Sequence, residues 1–145
     1  MKAVFAGYDQ DALDYQYDNQ RYCPTFRQTL DEGARLSREA AQLRTGHDVR
    51  WGAHEDARLD IYAPAGPGPH PVVVYVHGGA WLGQNKEESA FAAPAFVRDG
   101  CMYVALGFPR ASQVPFAEMI AAVREGVGWI VRNIAAMAAI LRASC

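Results

Sequence analysis

The chain has 145 residues, half of them hydrophobic, which is enough to form one hydrophobic core but does not suggest a second domain. Its formal net charge of −2 gives no basic surface for nucleic acid or for an anionic membrane, so we expect neither partner. The three cysteines lie far apart, and neither a spanning segment nor a signal peptide is evident, so we expect a cytoplasmic protein without disulfides, metals or cofactors.

The first 24 residues are interpreted as a tyrosine-rich arm that packs on the body of the protein. A short helix is predicted near Asp9–Tyr17 of this arm. Residues 25–136 are expected to form the body of a single domain, which begins with a polar surface helix. Thr25 is the candidate N-cap of that helix, and residues that favour a helix continue to about Arg44.

Two short strands are predicted after this helix. Asp48–Gly52 and Arg58–Tyr62 are β-like and are separated by the polar segment 53–56, a pattern typical of an antiparallel hairpin. The prolines and glycines of residues 64–69 then predict a loop.

The run Val72–Val76 is predicted to be a strand. Its residues are apolar without alternation, which favours a central strand covered on both faces over a helix. The run ends abruptly in the sequence His77-Gly78-Gly79-Ala80-Trp81. Two glycines after a strand let backbone N–H groups approach a ligand, because no Cβ stands in the way. We therefore interpret these five residues as a loop suited to holding an anion.

A helix and another strand follow this loop. Residues 90–100 are helix-like, and Gly100 suits a C-terminal stop. The next run, Cys101–Leu106, is predicted to be a second buried strand in which Cys101 is a small buried hydrophobe. A strand, a helix and a strand at this spacing predict a βαβ unit with parallel strands.

The last predicted element is an amphipathic helix after Pro115, which fits a first-turn position. Apolar residues recur along it at helical spacing, so we expect one face to dock on the sheet as part of the core. These residues are Phe116, Met119, Ile120, Val123, Val127, Ile130 and Ile134.

Several segments together resemble one family. In chain order they are VFAGYDQDALDYQYDN, RLDIY, VVVYVHGGAW, K-E-E-S-x-F-x-x-P-A-F-V and P-F-A-E-M-I-x-x-V-R-E-G-V-G-W, between Val4 and Ala136. They resemble the N-terminal half of the arylformamidase-like α/β-hydrolases, which include the kynurenine formamidases and belong with the esterase- and lipase-like serine hydrolases. The resemblance implies an α/β fold: an α/β-hydrolase-type sheet with an N-terminal antiparallel hairpin, then a parallel βαβ unit, and flanking helices.

The resemblance also implies a site and a reaction. Gly78, Gly79 and Ala80 would supply the oxyanion hole, His77 would brace the loop through a side-chain hydrogen bond, and Trp81 would wall the acyl pocket. The implied substrate is a carboxylic ester or an aryl formamide such as N-formylkynurenine. The alternative is a purely structural role, in which Gly78 and Gly79 form only a tight turn and His77 is a structural histidine.

The catalytic triad of such a hydrolase is not found in the sequence. None of the four serines, Ser37, Ser89, Ser112 and Ser144, lies in a G-x-S-x-G elbow. The other histidines, His47, His54 and His70, precede the oxyanion loop, where the family has no catalytic group. The sequence leaves a Cys–His nucleophilic pair open.

Residues 137–145 depart from the family pattern, which continues with a sequence like AAHGGDPARIVLSG into the serine elbow. One set of codons for His-Gly-Gly-Asp-Pro-Ala-Arg-Ile-Val-Leu-Ser, read after loss of its first base, translates as Met137–Cys145 and a stop. Our hypothesis is a one-base deletion that ends the chain before the nucleophile. The truncated chain alone would then be inactive. Its helix-forming tail would prolong the last helix, and its sheet would lack a covered edge.

Two other functions stay open. The chain could be a non-catalytic module that binds a small molecule or a protein, or one half of a split hydrolase completed by a separate C-terminal chain. A homodimer and a complementing chain are both compatible with the sequence.

Overall fold

A computed structural model describes residues 3–143, without the side chains of residue 19 and of residues 138–143. The chain divides into two compact units, one up to Gly33 and one from Ala34 onward. The first unit contains helix α1, Gln10–Tyr17, whose N-cap Asp9 accepts a hydrogen bond from the Ala12 N–H at 2.9 Å. The helix predicted near Asp9–Tyr17 is therefore present, and the short helix α2, Asn19–Tyr22, follows it.

Helix α3, Phe26–Ala40, extends through the boundary between the units and is followed by a 3₁₀ helix at Ala41–Leu43. Together these agree with the helix predicted from Thr25 to about Arg44. The Thr25 carbonyl accepts a hydrogen bond from Thr29 N–H at 2.9 Å, so Thr25 stands immediately before the first turn.

The second unit is built on a four-stranded sheet in the order β1-β2-β4-β3. Its strands are β1 Gly46–Arg50, β2 Arg58–Tyr62, β3 Val72–Val76 and β4 Met102–Leu106. β2 is antiparallel to both β1 and β4, whereas β3 and β4 are parallel. The antiparallel hairpin and the parallel pair are thus both confirmed.

Two strands differ from their predictions. β1 begins two residues earlier than the predicted Asp48 and carries an irregular register at Asp48, whose φ is +52°. β3 is not a central strand but the edge of the sheet, and Val72 and Val76 at its ends are 38% and 42% exposed. An apolar run cannot by itself distinguish an edge from a central position, because the partner strands are remote in sequence.

The core lies on both faces of β2 and β4. On one face, Leu59, Ile61, Val104 and Leu106 pack with Met119 and Ile130 of the last helix. On the other face, Tyr62 and Tyr103 pack with Ala40 and with Ala93. All five residues of β4 are buried, which confirms the second buried strand, although Cys101 just before it is only half-buried.

Helix α4, Ala93–Arg98, connects β3 to β4 and follows a 3₁₀ helix at Lys86–Ala92. Gly100 ends α4 with φ +81°, and its N–H donates to the Val97 carbonyl at 3.1 Å. The Cys101 N–H donates to the Phe96 carbonyl at 2.8 Å, which completes a Schellman motif. The stop predicted at Gly100 is therefore present.

Helix α5, Phe116–Ala143, begins directly after Pro115. Most of its predicted apolar face packs on the sheet, with Met119 and Ile130 buried. Phe116 and Ile120, predicted to belong to the same face, are 50% and 45% exposed instead. The helix continues through the described part of the 137–145 tail, as expected for a helix-forming sequence, while Ser144 and Cys145 lie outside the described residues. Between residues 3 and 143, no helix is both long and apolar enough to cross a membrane.

Candidate functional site

The loop after β3 contains three consecutive residues with positive φ. Gly79, Ala80 and Trp81 have φ values of +102°, +50° and +64°. The Gly79 carbonyl closes this turn by accepting hydrogen bonds from Leu82 N–H at 3.1 Å and Gly83 N–H at 2.8 Å. Left-handed conformations of non-glycine residues are unfavourable and concentrate at functional sites. The loop is therefore held in a conformation that the surrounding structure must support.

Glycine is required at only one of the two glycine positions. A Cβ on Gly79 would overlap the Gly83 carbonyl group, and its φ is positive. A Cβ on Gly78 would meet only Gln84 Oε1, at 3.6 Å, and Gly78 is not among the residues with positive φ. The sequence pattern does not distinguish the two glycines, because their difference depends on the path of the chain after them.

The loop leaves backbone donors unpaired beside a cavity. Within residues 3–143, the N–H groups of Gly78, Gly79 and Ala80 have no hydrogen-bond acceptor. Gly78, Ala80 and Trp81 line a cavity of about 280 Å³, whereas Gly79, predicted to belong to the same site, is not among its lining residues. Free N–H donors on a concave wall are suited to an oxygen atom that carries negative charge. The loop thus has the groups that an anion site needs.

His77 is buried and lies against the start of this loop. Its ring stacks on Phe108 with centroids 4.3 Å apart, and its Nδ1 lies 3.0 Å from the Gly78 carbonyl oxygen. A carbonyl oxygen only accepts, so this contact places the ring proton on Nδ1. Burial lowers the pKa of His77, and the nearby charge of Arg110 lowers it further, against the raising effect of the bond to Gly78. A neutral His77 that donates to Gly78 is the arrangement that a bracing role requires.

Trp81 forms an outer wall of the cavity. Its ring contacts Phe116 of α5 edge-on, with centroids 5.8 Å apart, and its side chain remains 58% exposed. The carbonyl of Trp81 accepts a hydrogen bond from Ala111 N–H at 3.0 Å, which ties the loop to the segment after β4. The cavity is therefore bounded by the ends of two neighbouring parallel strands, the usual place for a site in such sheets.

Two of the described serines make hydrogen bonds that stabilise the fold. Ser37 Oγ accepts from Phe91 N–H at 3.0 Å, and Ser89 Oγ donates to the Asn85 carbonyl at 2.7 Å. Ser112 lies exposed in the turn before α5, and Ser144 is outside the described residues. No serine or cysteine in the described part of the chain lies within hydrogen-bond distance of a histidine. A nucleophile–base pair is thus not assembled by these residues.

A buried ion cluster lies next to the site and was missed by the sequence analysis. The fully buried Asp60 of β2 accepts from Arg44 at 2.7 Å, from Lys86 at 3.1 Å and from the Asp48 N–H at 2.9 Å. Burial alone would lower the pKa of Lys86, but hydrogen bonds to Asp48 and Glu87 and the charge of Asp60 raise it above its usual value. The sequence contains one indication of this cluster, namely an aspartate between the two hydrophobic strand residues Leu59 and Ile61.

Part of this cluster resembles a metal site, because three of its neighbouring side chains are of types that bind metal ions. His47, Asp48 and Asp60 are close enough to share an ion. The Lys86 ammonium bonds Asp48 at 2.7 Å, and Arg44 bonds Asp60 at 2.7 Å, so each carboxylate already has a cationic partner. We assign this cluster to the stability of the sheet.

Comparison with known proteins gives consistent matches. The BD-FAE family model matches residues 59–139. The chain is 31% identical over 134 residues to a kynurenine formamidase of Danio rerio, covering 86% of this chain and 45% of that protein. It is 35% identical over 105 residues to a kynurenine formamidase of Salmo salar, covering 72% of this chain and 35% of that protein.

A solved structure gives the same fold. The crystal structure of a candidate thioesterase from Silicibacter sp. superposes with a TM-score of 0.74 at 19% identity, covering 83% of this chain and 47% of that one. Likeness at this level of identity concerns the fold. In each of these comparisons the chain spans less than half the length of the protein it matches.

Proposed function

The chain belongs to the BD-FAE family of arylformamidase- and esterase-like α/β-hydrolases, and on this premise we propose that it provides the oxyanion loop of a serine hydrolase for carboxylic esters or aryl formamides. The observation that carries this proposal is the left-handed turn at Gly79–Trp81 with unpaired N–H groups beside the 280 Å³ cavity. Three successive residues at positive φ support this role, because such strained conformations concentrate at functional sites.

The proposed role of the loop follows from the chemistry of acyl transfer. Attack on an ester or formamide carbonyl produces a tetrahedral oxyanion, and each preorganised donor in such a site stabilises it by about 3–4 kcal/mol. Gly78, Gly79 and Ala80 are the proposed donors. Trp81 would enclose the acyl or formyl group and limit the access of water.

His77 is proposed as a positioning residue for these donors. It holds the Gly78 carbonyl at 3.0 Å. Because a trans peptide is planar, with its C=O and N–H pointing in opposite directions, holding this carbonyl also fixes the direction of the Gly79 N–H. The stacked Phe108 prevents the imidazole from turning away.

The nucleophilic serine, the acid and the base are proposed to come from sequence that this chain does not include. The relatives are more than twice as long as the segment matched here. The frame-shift hypothesis for residues 137–145 gives this proposal a direct test. The gene is read downstream from the codon of Ile134 in all frames, and one inserted base should restore His-Gly-Gly-Asp-Pro followed by a G-x-S-x-G elbow. A downstream sequence without such an elbow in any frame would contradict it.

Activity assays complete the test. Two substrates are used, 4-nitrophenyl acetate and an aryl formamide. Purified alone, this chain should show no hydrolysis of either substrate that can be blocked by a serine-directed inhibitor. The restored full-length protein should hydrolyse at least one of these substrates. Inhibitor-sensitive turnover by the present chain would refute the assignment of the triad to missing sequence.

The positioning role of His77 can be measured in the restored enzyme. The His77→Phe variant keeps the ring stack but loses the hydrogen bond, and we expect kcat to fall by about ten- to a hundredfold with little change in KM, as for a weakened oxyanion site. The His77→Asn variant retains an N–H near Nδ1 and should keep more activity than His77→Phe. Equal activity of the two variants would argue against a role for this bond.

A further inference from the structure

Arg110 is a charged residue at the cavity to which the sequence analysis gave no role. It lies in the segment after β4, one residue before Ala111, whose N–H donates to the Trp81 carbonyl at 3.0 Å. Phe108, two residues earlier, is stacked on His77. Arg110 lines the 280 Å³ cavity together with Gly78, Ala80 and Trp81. Its charge is therefore presented to the same space as the free loop donors.

The guanidinium of Arg110 is positioned but not neutralised. Its Nε lies 3.4 Å from Gln113 Oε1, and the Gln113 amide is in turn fixed by a 2.6 Å hydrogen bond to Asp56. No carboxylate of the described residues lies within ion-pair distance of Arg110, and no acceptor among them is bonded to its terminal nitrogens. This half-buried positive charge therefore has no counterion among the residues that the structure describes.

The distribution of acids decides on which side of Arg110 an anion would bind. A second cavity, of about 240 Å³, also contacts Arg110, and its wall contains four carboxylates and two further cations, Arg58 and Lys86. Lys86 is already bonded to two of the carboxylates, at 2.7 Å each, and the acids outnumber the cations, so this cavity is less favourable for an anion. The cavity beside the oxyanion loop has no acidic residue in its wall and has the aromatic rings of Trp81 and Phe108. An anion with an apolar body fits that cavity.

We propose that Arg110 binds a carboxylate of the substrate, so that the proposed hydrolase takes esters or formamides that carry a second, permanently anionic group. The terminal nitrogens of an arginine can hold a carboxylate through two parallel hydrogen bonds. The loop would then bind the carbonyl that reacts, while Arg110 binds the carboxylate that does not. This inference rests on the proposed function for the identity of the reacting group, but the anion site itself can be tested on the chain alone.

The test uses benzoate and benzamide, two flat probes of nearly equal size that differ in charge. Binding to the chain is followed by saturation-transfer NMR and by calorimetric titration. Benzoate should bind at least about tenfold more tightly than benzamide, the factor expected for one charge-assisted hydrogen bond. Arg110→Gln should abolish this preference, and Arg110→Lys should retain part of it, because a lysine keeps the charge but not the planar fork.

Arg98→Gln is the matched control, because Arg98 is exposed and already paired with Asp99 at 2.9 Å. It should leave the preference for benzoate unchanged. Equal binding of the two probes, no binding of benzoate, or an unchanged preference in Arg110→Gln at an unchanged melting temperature would each overturn the inference. Arg110-dependent binding in a protein whose restored form hydrolyses nothing would refute only the proposed function. Turnover of substrates without regard to their charge would refute only the carboxylate site.

Discussion

Gly79 is the residue on which the conformation of the loop after β3 most depends. Both its positive φ and the Gly83 carbonyl next to its Cα exclude a side chain, whereas neither restriction applies to Gly78. The neighbouring His77 holds the other end of the same peptide group. The peptide group between Gly78 and Gly79 is therefore fixed from both sides, by the hydrogen bond of His77 to the Gly78 carbonyl and by the restricted conformation of Gly79.

The two glycines provide a matched pair of variants. Gly79→Ala should lower the free energy of unfolding by about 3 kcal/mol, because strained φ and overpacking each cost 1–3 kcal/mol. Gly78→Ala should change it by less than about 0.5 kcal/mol, since its methyl would make an ordinary contact. Urea denaturation of both variants measures the difference. Equal destabilisation would show that the turn is not constrained as described.

The lowered pKa of His77 predicts a pH dependence of stability. Burial disfavours the charged imidazole in the folded state and lowers its pKa below the ordinary value of 6.5. As the pH falls, His77 in the unfolded chain therefore takes up a proton before His77 in the folded chain does. The contribution of neutral His77 is complete above pH 6.5 and is lost as the pH falls toward the lower folded-state pKa. Urea midpoints measured on both sides of pH 6.5 should thus decrease with acidification.

A histidine variant separates this effect from general acid destabilisation. His77→Asn should flatten the dependence on pH, because asparagine does not titrate. An unchanged slope in His77→Asn would assign the pH dependence to other groups.

At the scale of elements, the close approach of α5 to the sheet depends on a small residue. A Cβ on the buried Gly126 would lie 2.9 Å from Leu106 Cδ1 and 3.2 Å from the ring of Trp51. Gly128, on the same helix, would place its Cβ only near the flexible end of Arg132. Helix periodicity identified the apolar face of α5, but the distance between helix and sheet required the packed structure.

This difference predicts opposite effects of the same substitution. Gly126→Ala should destabilise the protein by about 1–2 kcal/mol, because overpacking exceeds the gain of about 1 kcal/mol in helix propensity. Gly128→Ala should be neutral or stabilising by up to about 1 kcal/mol. Thermal and urea unfolding of both variants provide the comparison. Stabilisation by Gly126→Ala would mean that α5 packs less closely than described.

For the molecule as a whole, the two edges of the sheet are unequal. The β1 edge is interrupted by the irregular register at Asp48 and carries charged side chains. The β3 edge is a regular run of apolar residues without a charge, and its ends at Val72 and Val76 are exposed. An unprotected apolar edge strand favours pairing with another chain. We therefore expect the β3 edge to be the surface through which this chain associates with itself.

A charge on that edge should reduce the association. Val76→Lys should shift the chain toward monomer in light scattering over a range of concentrations, because a lysine on an edge strand opposes pairing. His47→Lys, on the β1 edge, is the control and should have little effect. Association that is unaffected by Val76→Lys but reduced by His47→Lys would place the contact on the opposite edge.

The sequence by itself determined the elements and the family. The bounds of β2 and β3, the stop at Gly100 and the long apolar helix α5 follow from residue spacing, because the periodicity of a helix or strand is a local property. The motif around His77-Gly78-Gly79 identified the family, since several matching segments occur in order along the chain.

Only the tertiary structure decided that the uncovered edge is β3, that Asp60 is buried with Lys86, and that Arg110 lines the cavity beside the loop. Each of these features joins residues that are distant in the sequence. Whether a valine is covered or an arginine is paired depends on which remote side chains reach it, and no local pattern encodes that.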